Sequence, residues 1–272
     1  MDEDEDLLAL PCDIALAGEK LSFASNDRTI LDEITCEIRH NRITALLGPN
    51  GSGKSTLMRL LMRLEKPTSG HVRLFGEDVA RMNNRAFARQ VAFLPQDMQV
   101  PSALTVRELV GCGRHPHRPL WRSMTDKDHS IVEAALTTTS LLDLSHRTVG
   151  ALSGGERQRA LIAMALAQET DILMLDEPTT YLDIHYQIEI LELIRKLQTE
   201  RSLTICWILH DLNEAAAYSD DVIVISNGRC VATGTPEAVL TSDLIKDVFK
   251  VEMLRLKHPD DNMPILIPSR RQ

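Results

Sequence analysis

The stretch Gly48-Pro49-Asn50-Gly51-Ser52-Gly53-Lys54-Ser55-Thr56 places a lysine and two hydroxyl side chains directly behind three glycines. Its spacing, G-x-x-x-x-G-K-[ST], suits the binding of a chain of phosphates. Glycines at 48, 51 and 53 let backbone N–H groups turn inward around the anion, and a helix starting at Lys54 points its partial positive charge the same way. Lys54 adds a full charge near the β and γ phosphates. The Ser55 hydroxyl can ligate Mg²⁺, and Thr56 can bond a neighbouring phosphate oxygen. A plain glycine turn would not need this spacing between a strand-like run, Ile43 to Leu47, and a helical stretch, Lys54 to Leu64.

Two further stretches carry chemistry. The apolar run Ile172 to Leu175 ends in Asp176 and Glu177, as a buried parallel strand delivers acids to the carboxyl edge of its sheet. Side chains alternate along a strand, so the two acids are expected to serve different points. Asp176 is the magnesium partner, through water, and Glu177 the base for an attacking water. In Leu152-Ser153-Gly154-Gly155-Glu156-Arg157-Gln158, Ser153 and Glu156 have the spacing of a capping box. That accounts for a helix start but not for two glycines, each worse than alanine by up to roughly 1 kcal/mol inside a helix. Bare backbone at a helix N-terminus suits a second anion. Ala160 to Ala167 is apolar all round, which predicts a buried helix holding this end rigidly.

The elements that must position these residues follow from periodicity. Short apolar runs from Leu16 to Phe75 alternate with turn residues around the one helical stretch. Between Asp97 and Gly150 helical spacing takes over, best at Thr105 to Val110 and Asp126 to Leu142. Then come strands at Asp171 to Asp176, Leu203 to Leu209 and Val222 to Ile225, separated by helices at Ile184 to Leu197 and Leu212 to Ala217. Strands that are almost wholly apolar and separated by helices imply a parallel sheet covered on both faces. Pro264 to Pro268 reads as an edge strand.

With 43% hydrophobic residues among 272, the chain can bury a sizeable core, which excludes general disorder. A net charge of -9 argues against a coat held on nucleic acid by phosphate contacts alone. Five widely spaced cysteines without a C-x-x-C pair give neither a disulfide framework nor a zinc cluster. His115 and His117, split by a proline and lacking a third ligand, read as an exposed loop rather than a metal pair. The start, Met-Asp-Glu-Asp-Glu-Asp, is the opposite of a signal peptide, and no apolar run approaches the ~18 residues of a membrane span.

The phosphate loop, Leu152 to Gln158, and the Asp176/Glu177 strand, in this order, resemble the nucleotide-binding subunit of an ATP-binding cassette (ABC) transporter, over about Ile14 to Lys250. The resemblance implies an α/β fold, a P-loop NTPase of ABC type, whose mixed sheet core carries an antiparallel β part and an inserted α-helical subdomain. It divides the chain into an acidic tail at 1–12, an ATP-binding core at 13–96 and 151–250, a helical insert at 97–150 and an extension at 251–272, with the signature, 152–158, at the insert's end. It also implies roles. Gln96 contacts magnesium and the water, Asp183 lies in the loop that crosses to a partner subunit, and His210 reaches the γ-phosphate. Lys54 and Glu177 are catalytic, and Ser55, Gln96 and Asp176 hold Mg²⁺. Ser153, Gly154, Gly155 and Gln158 face the ATP of a second copy. The family commonly sets an aromatic ring against adenine where this chain has Ser25; Phe23, two residues away, or a shifted loop must then supply the stacking, or adenine is held weakly. Glu156 replaces a glutamine common in the signature, tolerable for an acid at the positive end of a helix.

Further partners follow from the same resemblance: a head-to-tail second copy, two transmembrane permease subunits docked on the helical region and, indirectly, a periplasmic or surface substrate-binding protein, but no nucleic acid. The expected place is peripheral, at the cytoplasmic face of the cell (inner) membrane. The runs Thr105 to His117, Asp176 to Ile184 and Leu209 to Asn213 resemble ATPases that power import of ferric siderophores of enterobactin and citrate type, with cobalamin and haem importers as the alternative. A soluble cassette acting on DNA or the ribosome, and a scaffold without turnover, are the rivals from other classes. The short insert and negative charge count against the first, and Glu177 with His210 against the second.

Overall fold

The computed structural model describes residues 13–25, 28–119, 122–259 and 263–269; the acidic segment expected at 1–12 lies outside them. In chain order the elements are β1 (Ile14–Ser25), β2 (Arg28–Arg39), β3 (Ile43–Leu47), α1 (Lys54–Leu61), β4 (Ser69–Leu74), β5 (Glu77–Asp78), α2 (Asn84–Ala88) and β6 (Val91–Leu94). Next come α3 (Val106–Cys112), α4 (Asp126–Thr138), α5 (Gly154–Leu166), β7 (Ile172–Asp176), α6 (Ile184–Arg201), β8 (Thr204–Ile208) and α7 (Leu212–Tyr218). The chain continues through β9 (Asp221–Ser226), β10 (Arg229–Gly234), α8 (Pro236–Val239), α9 (Ser242–Phe249), β11 (Met253–Lys257) and β12 (Pro264–Pro268).

The central sheet has the order β10-β9-β3-β8-β7-β6; its pairs are parallel except for antiparallel β10 on β9. Strands β3, β7 and β8 are buried at every position, so apart from Thr44, Thr204 and the terminal Asp176 their residues are apolar rather than alternating. Alternation still decides which side each residue serves. Ile43, Ala45, Leu47, Leu173 and Leu175 join the core beneath α3, α4, α5 and α6, whereas Leu46, Ile172 and Met174 join a second core beneath α1, β1 and β2. That second core is closed by the antiparallel sheet β2-β1-β4-β5. Asp221 on β9 accepts from both Arg39 and Arg42, tying the end of β2 to the central sheet. The fold is α/β, with a mixed central sheet, an antiparallel β part and a layer of helices.

Two helices end earlier than expected, for one reason. The periodicity toward Leu64 and toward Leu142 overran α1 and α4, because Arg63 and Ser140 take left-handed conformations, φ 57° and 56°. In each case the next amide reaches back five residues, Leu64 to the Arg59 carbonyl at 2.9 Å and Leu141 to the Leu136 carbonyl at 2.8 Å. This is the reversal that ends many helices, and its apolar residue then packs back, as the fully buried Leu141 does. A leucine that closes a helix looks like one that continues it. α6 errs the other way, running a polar turn past Leu197 to Arg201. The edge strand expected at Pro264 to Pro268 pairs with β11, and Asn213 on α7 holds the Leu266 backbone by both its N–H and its carbonyl. Among the described residues no helix is long and apolar enough to cross a membrane.

Candidate functional site

The loop from β3 to α1 opens into a cleft of about 650 Å³, lined by Asn50, Gly51, Gly53, Lys54, Ser55 and Thr56 and, across from them, by Glu177. A glycine is obligatory at 48, where φ is 150° and a Cβ would stand 2.1 Å from the Ile225 carbonyl oxygen. Lys54 is buried and donates to the Gly48 and Pro49 carbonyls at 2.8 and 3.1 Å, which fixes its ammonium across the loop. Burial lowers its pKa below the usual lysine value, and the negative charges of Glu177 and Asp176 oppose that shift. The lysine faces two acids at the end of β7, as the phosphate-binding reading requires.

Asp176 is the last residue of β7 and is buried. Burial, reinforced by the neighbouring charge of Glu177, raises its pKa, while Arg59, Lys54 and His210 act in the opposite direction. Its Oδ1 and the Ser52 hydroxyl are buried polar atoms with no hydrogen-bond partner among the described residues. A buried acceptor without a donor is costly, and a cation or ordered water resolves it. The donor set of Asp176, Ser55 and Gln96, all oxygens, fits a hard divalent ion such as Mg²⁺.

Glu177 leaves the strand in a left-handed conformation, φ 54°. The alternation argument therefore stops at Asp176, and the two acids part through a backbone turn rather than a strand pleat. The Glu177 carboxylate is held on both oxygens. His210, just beyond β8, places Nε2 2.6 Å from Oε1. Gln96, just beyond β6, donates from Nε2 to Oε2, which also accepts from the Thr180 hydroxyl at 3.0 Å. Three adjacent strands, β6, β7 and β8, thus end in one hydrogen-bonded cluster at the carboxyl edge of the sheet. A smaller cleft of about 220 Å³ is lined by Thr180, His210 and Glu177, of which Glu177 also lines the larger one.

The other sequence candidates lie outside the larger cleft. Ser153 caps α5 in a capping box with Glu156, and both Ser153 and Gly154 are exposed. Gly155 has a packing cause that the sequence did not reveal: the Tyr186 ring lies against it, 2.4 Å from where a Cβ would be. Gly154 has no such neighbour, as a Cβ there would meet only Leu182 at 3.6 Å. Gln158 is half-buried one turn along α5. Asp183 caps α6 by accepting from the Tyr186 amide at 3.1 Å. Phe23 packs against the core beneath α1, and neither it nor Ser25 lines the cleft. The cleft wall is built instead by Arg28, Thr29 and Ile30 at the start of β2, and by Asn227 and Gly228. Sequence reasoning missed these and Thr180; strand residues far from the motif in sequence carry no local signal, whereas Thr180 could have been found by its spacing from Glu177. His117 sets its ring on the Gln168 carbonyl at 2.7 Å, a structural contact.

With this geometry in hand, likeness to known proteins is informative. The family model described as ABC transporter matches residues 31–180. The ferric enterobactin transport ATP-binding protein FepC of Escherichia coli (strain K12) is 41% identical over 94% of this chain and 94% of its own length. The petrobactin import ATP-binding protein FpuD of Bacillus anthracis is 44% identical over 93% of each. A solved structure described as an inward-facing conformation of a putative metal-chelate type ABC transporter superposes with a TM-score of 0.83, at 27% identity, covering 95% of this chain and 98% of that one. The chain belongs to the ATP-binding subunits of the ABC transporter family.

Proposed function

We propose that the protein hydrolyses ATP to power import of an iron chelate, a ferric siderophore, through separate permease subunits. The observation that carries the ATPase part is the Glu177 carboxylate, held by His210, Gln96 and Thr180 at the edge of a phosphate cleft containing Lys54. The cargo is supported by likeness to FepC and FpuD, which are named for ferric enterobactin and petrobactin.

Attack on the γ-phosphate needs a base, a fixed water and neutralised charge. Glu177 is the base and takes the water's proton. His210 donates Nε2–H to Oε1 and so fixes the carboxylate plane, while Gln96 and Thr180 fix the other oxygen. Lys54 neutralises phosphate charge at the loop. Asp176, Ser55 and the Gln96 side-chain oxygen would hold Mg²⁺, which supplies charge neutralisation across the phosphates. The start of α5, where Ser153 and Gly154 are exposed and Gly155 is buried against Tyr186, presents a positive helix end suited to the γ-phosphate bound by a second copy, with Ser153, Gly154 and Gly155 facing it. Two copies placed head to tail complete each site, a closed two-fold arrangement. Asp183 and Gln158 belong to that shared surface. The subunit sits at the membrane through its permeases.

Thr180 supplies an early check. Thr180→Val removes one donor to a charged acceptor, and on the order of a tenfold loss in kcat is expected, with KM for ATP unchanged. Thr180→Ser should restore the rate. Equal rates for all three proteins would remove the hydroxyl from the positioning of Glu177.

Cargo is tested by uptake of radioactive iron, presented as several ferric siderophores, in cells whose sole copy of this protein is native or Glu177→Gln. Loss of uptake of one chelate in the variant is the expected result. Iron uptake unchanged at equal protein levels would move the cargo to cobalamin, haem or another chelate.

A further inference from the structure

The cleft that takes the phosphates continues past them along β2. A Cβ on Gly53 would meet the Leu31 side chain at 2.4 Å, and one on Gly228 would meet the Ile30 carbonyl at 2.3 Å, so Ile30 and Leu31 lie against the floor of the phosphate loop. From Leu31 the strand runs outward through Ile30 and Thr29 to Arg28, about 10 Å at the usual rise per residue. These last three residues line the cleft. Glu177 and Lys54 mark the end where the γ-phosphate reacts, so the β2 end receives the base.

That end has an unusual character. Among the described lining residues there is no aromatic side chain. Phe23, on the neighbouring strand, packs against the apolar core and does not line the cleft. Ser25 pairs with Arg28 across the hairpin and offers only a hydroxyl. Arg28 is exposed, and among the described residues its guanidinium has no hydrogen-bond or ion-pair partner. Ile30, packed below on the core, gives an aliphatic surface beside it.

We propose that Arg28 is the base-binding residue of this site, its guanidinium plane stacking on the nucleobase above Ile30, and that the site in consequence takes purine nucleoside triphosphates with little preference between adenine and guanine. The proposal rests on the reading that this cleft hydrolyses a nucleoside triphosphate. A guanidinium over a ring gains from the ring's electron-rich face and from contact area, both of which the two purines offer alike. Discrimination between them needs donors and acceptors aimed at the base edge, because a stacking face carries no edge pattern. Among the described lining residues outside the phosphate loop, Asn227 is the one amide side chain; it lies in the β9–β10 turn next to Gly228, which backs Ile30, and a single amide does not make an edge pattern.

The test uses the purified full chain and two readouts, phosphate release from ATP and GTP and calorimetric binding of ADP and GDP. The expected result is kcat/KM for GTP within roughly tenfold of that for ATP, with ADP and GDP binding in the same ratio. Arg28→Ala should raise KM and Kd for both purines by roughly three- to thirtyfold with kcat unchanged. Arg28→Tyr, which restores a stacking plane without the charge, should return both near the native values. A preference for adenine beyond tenfold, an unchanged Kd in Arg28→Ala, or a tyrosine variant as weak as the alanine one would each overturn the assignment. If neither triphosphate is hydrolysed the ATPase reading fails, while the diphosphate affinities still decide the role of Arg28.

Discussion

Glu177→Gln is expected to slow phosphate release by roughly 10²- to 10⁴-fold, the usual worth of a general base, while ATP still binds. The substitution is close to isosteric and changes little else. Glutamine adopts the left-handed φ of 54° as readily or as reluctantly as glutamate, so the backbone turn after β7 is not the variable. Its amide oxygen can still accept the His210 N–H, and the Thr180 hydroxyl, which can donate or accept, can turn to meet the new NH₂. What disappears is the site for the water's proton. In the proposed reading phosphate binding depends on the loop and on Lys54, whose bonds to the Gly48 and Pro49 carbonyls the substitution leaves alone. Burst-free turnover near the native rate, with ATP bound at native affinity, would remove Glu177 from the role of base and leave the cluster as a structural junction.

The residues of this cluster differ in how far the sequence reveals them. The phosphate loop is legible because every part of its task is local: turn, glycines, lysine and helix start fall within nine consecutive residues. Asp176 and Glu177 are legible because a wholly apolar run must be a buried strand, and its end must be the sheet edge. Gln96 and His210 carry no local signal of that kind and are named only through the family resemblance. That they meet at Glu177 depends on β6, β7 and β8 being neighbours, a matter of strand order that no window of sequence contains. The Tyr186 ring on Gly155 is similar, since a contact between α5 and α6 makes a glycine necessary that helix propensity alone would penalise. The base end of the cleft misled for the opposite reason. Phe23 is the aromatic residue at hand in the sequence, but the pleat of β1 turns it to the core, and the cleft is walled by the start of β2.

Arg114→Ala is expected to destabilise the protein by about 3–5 kcal/mol, the range for a buried ion pair that loses one partner. Arg114, just beyond α3, is almost fully buried. Its Nε donates to Asp128 Oδ1 at 2.9 Å, and one Nη donates to the Ala167 carbonyl at 2.8 Å and to Glu169 at 2.9 Å. One guanidinium thus joins the end of α3, the start of α4 and the end of α5. Asp128 is itself the capping-box acid of α4, bonded by the Thr125 amide and hydroxyl at 2.9 and 2.7 Å. Burial pushes its pKa up, but the Thr125 hydrogen bonds and the Arg114 charge together outweigh that and hold it well below the usual carboxylate range. A depressed carboxylate contributes stability that is complete above about pH 5 and is lost as the pH falls through the carboxylate range toward the folded-state value. The native protein should therefore lose this increment on acidification, and Arg114→Ala should show a shallower acid dependence because its share is already gone. The consequence for function is positional. The three helices carry the exposed Ser153 end of α5, and loosening them should weaken the cooperation between two copies before it weakens nucleotide binding to one. Urea unfolding of native, Arg114→Ala, Asp128→Ala and the double variant gives the coupling energy directly. A single-variant loss below about 1 kcal/mol, the level of an exposed pair, would mean that Arg114 is not what holds α3, α4 and α5 together.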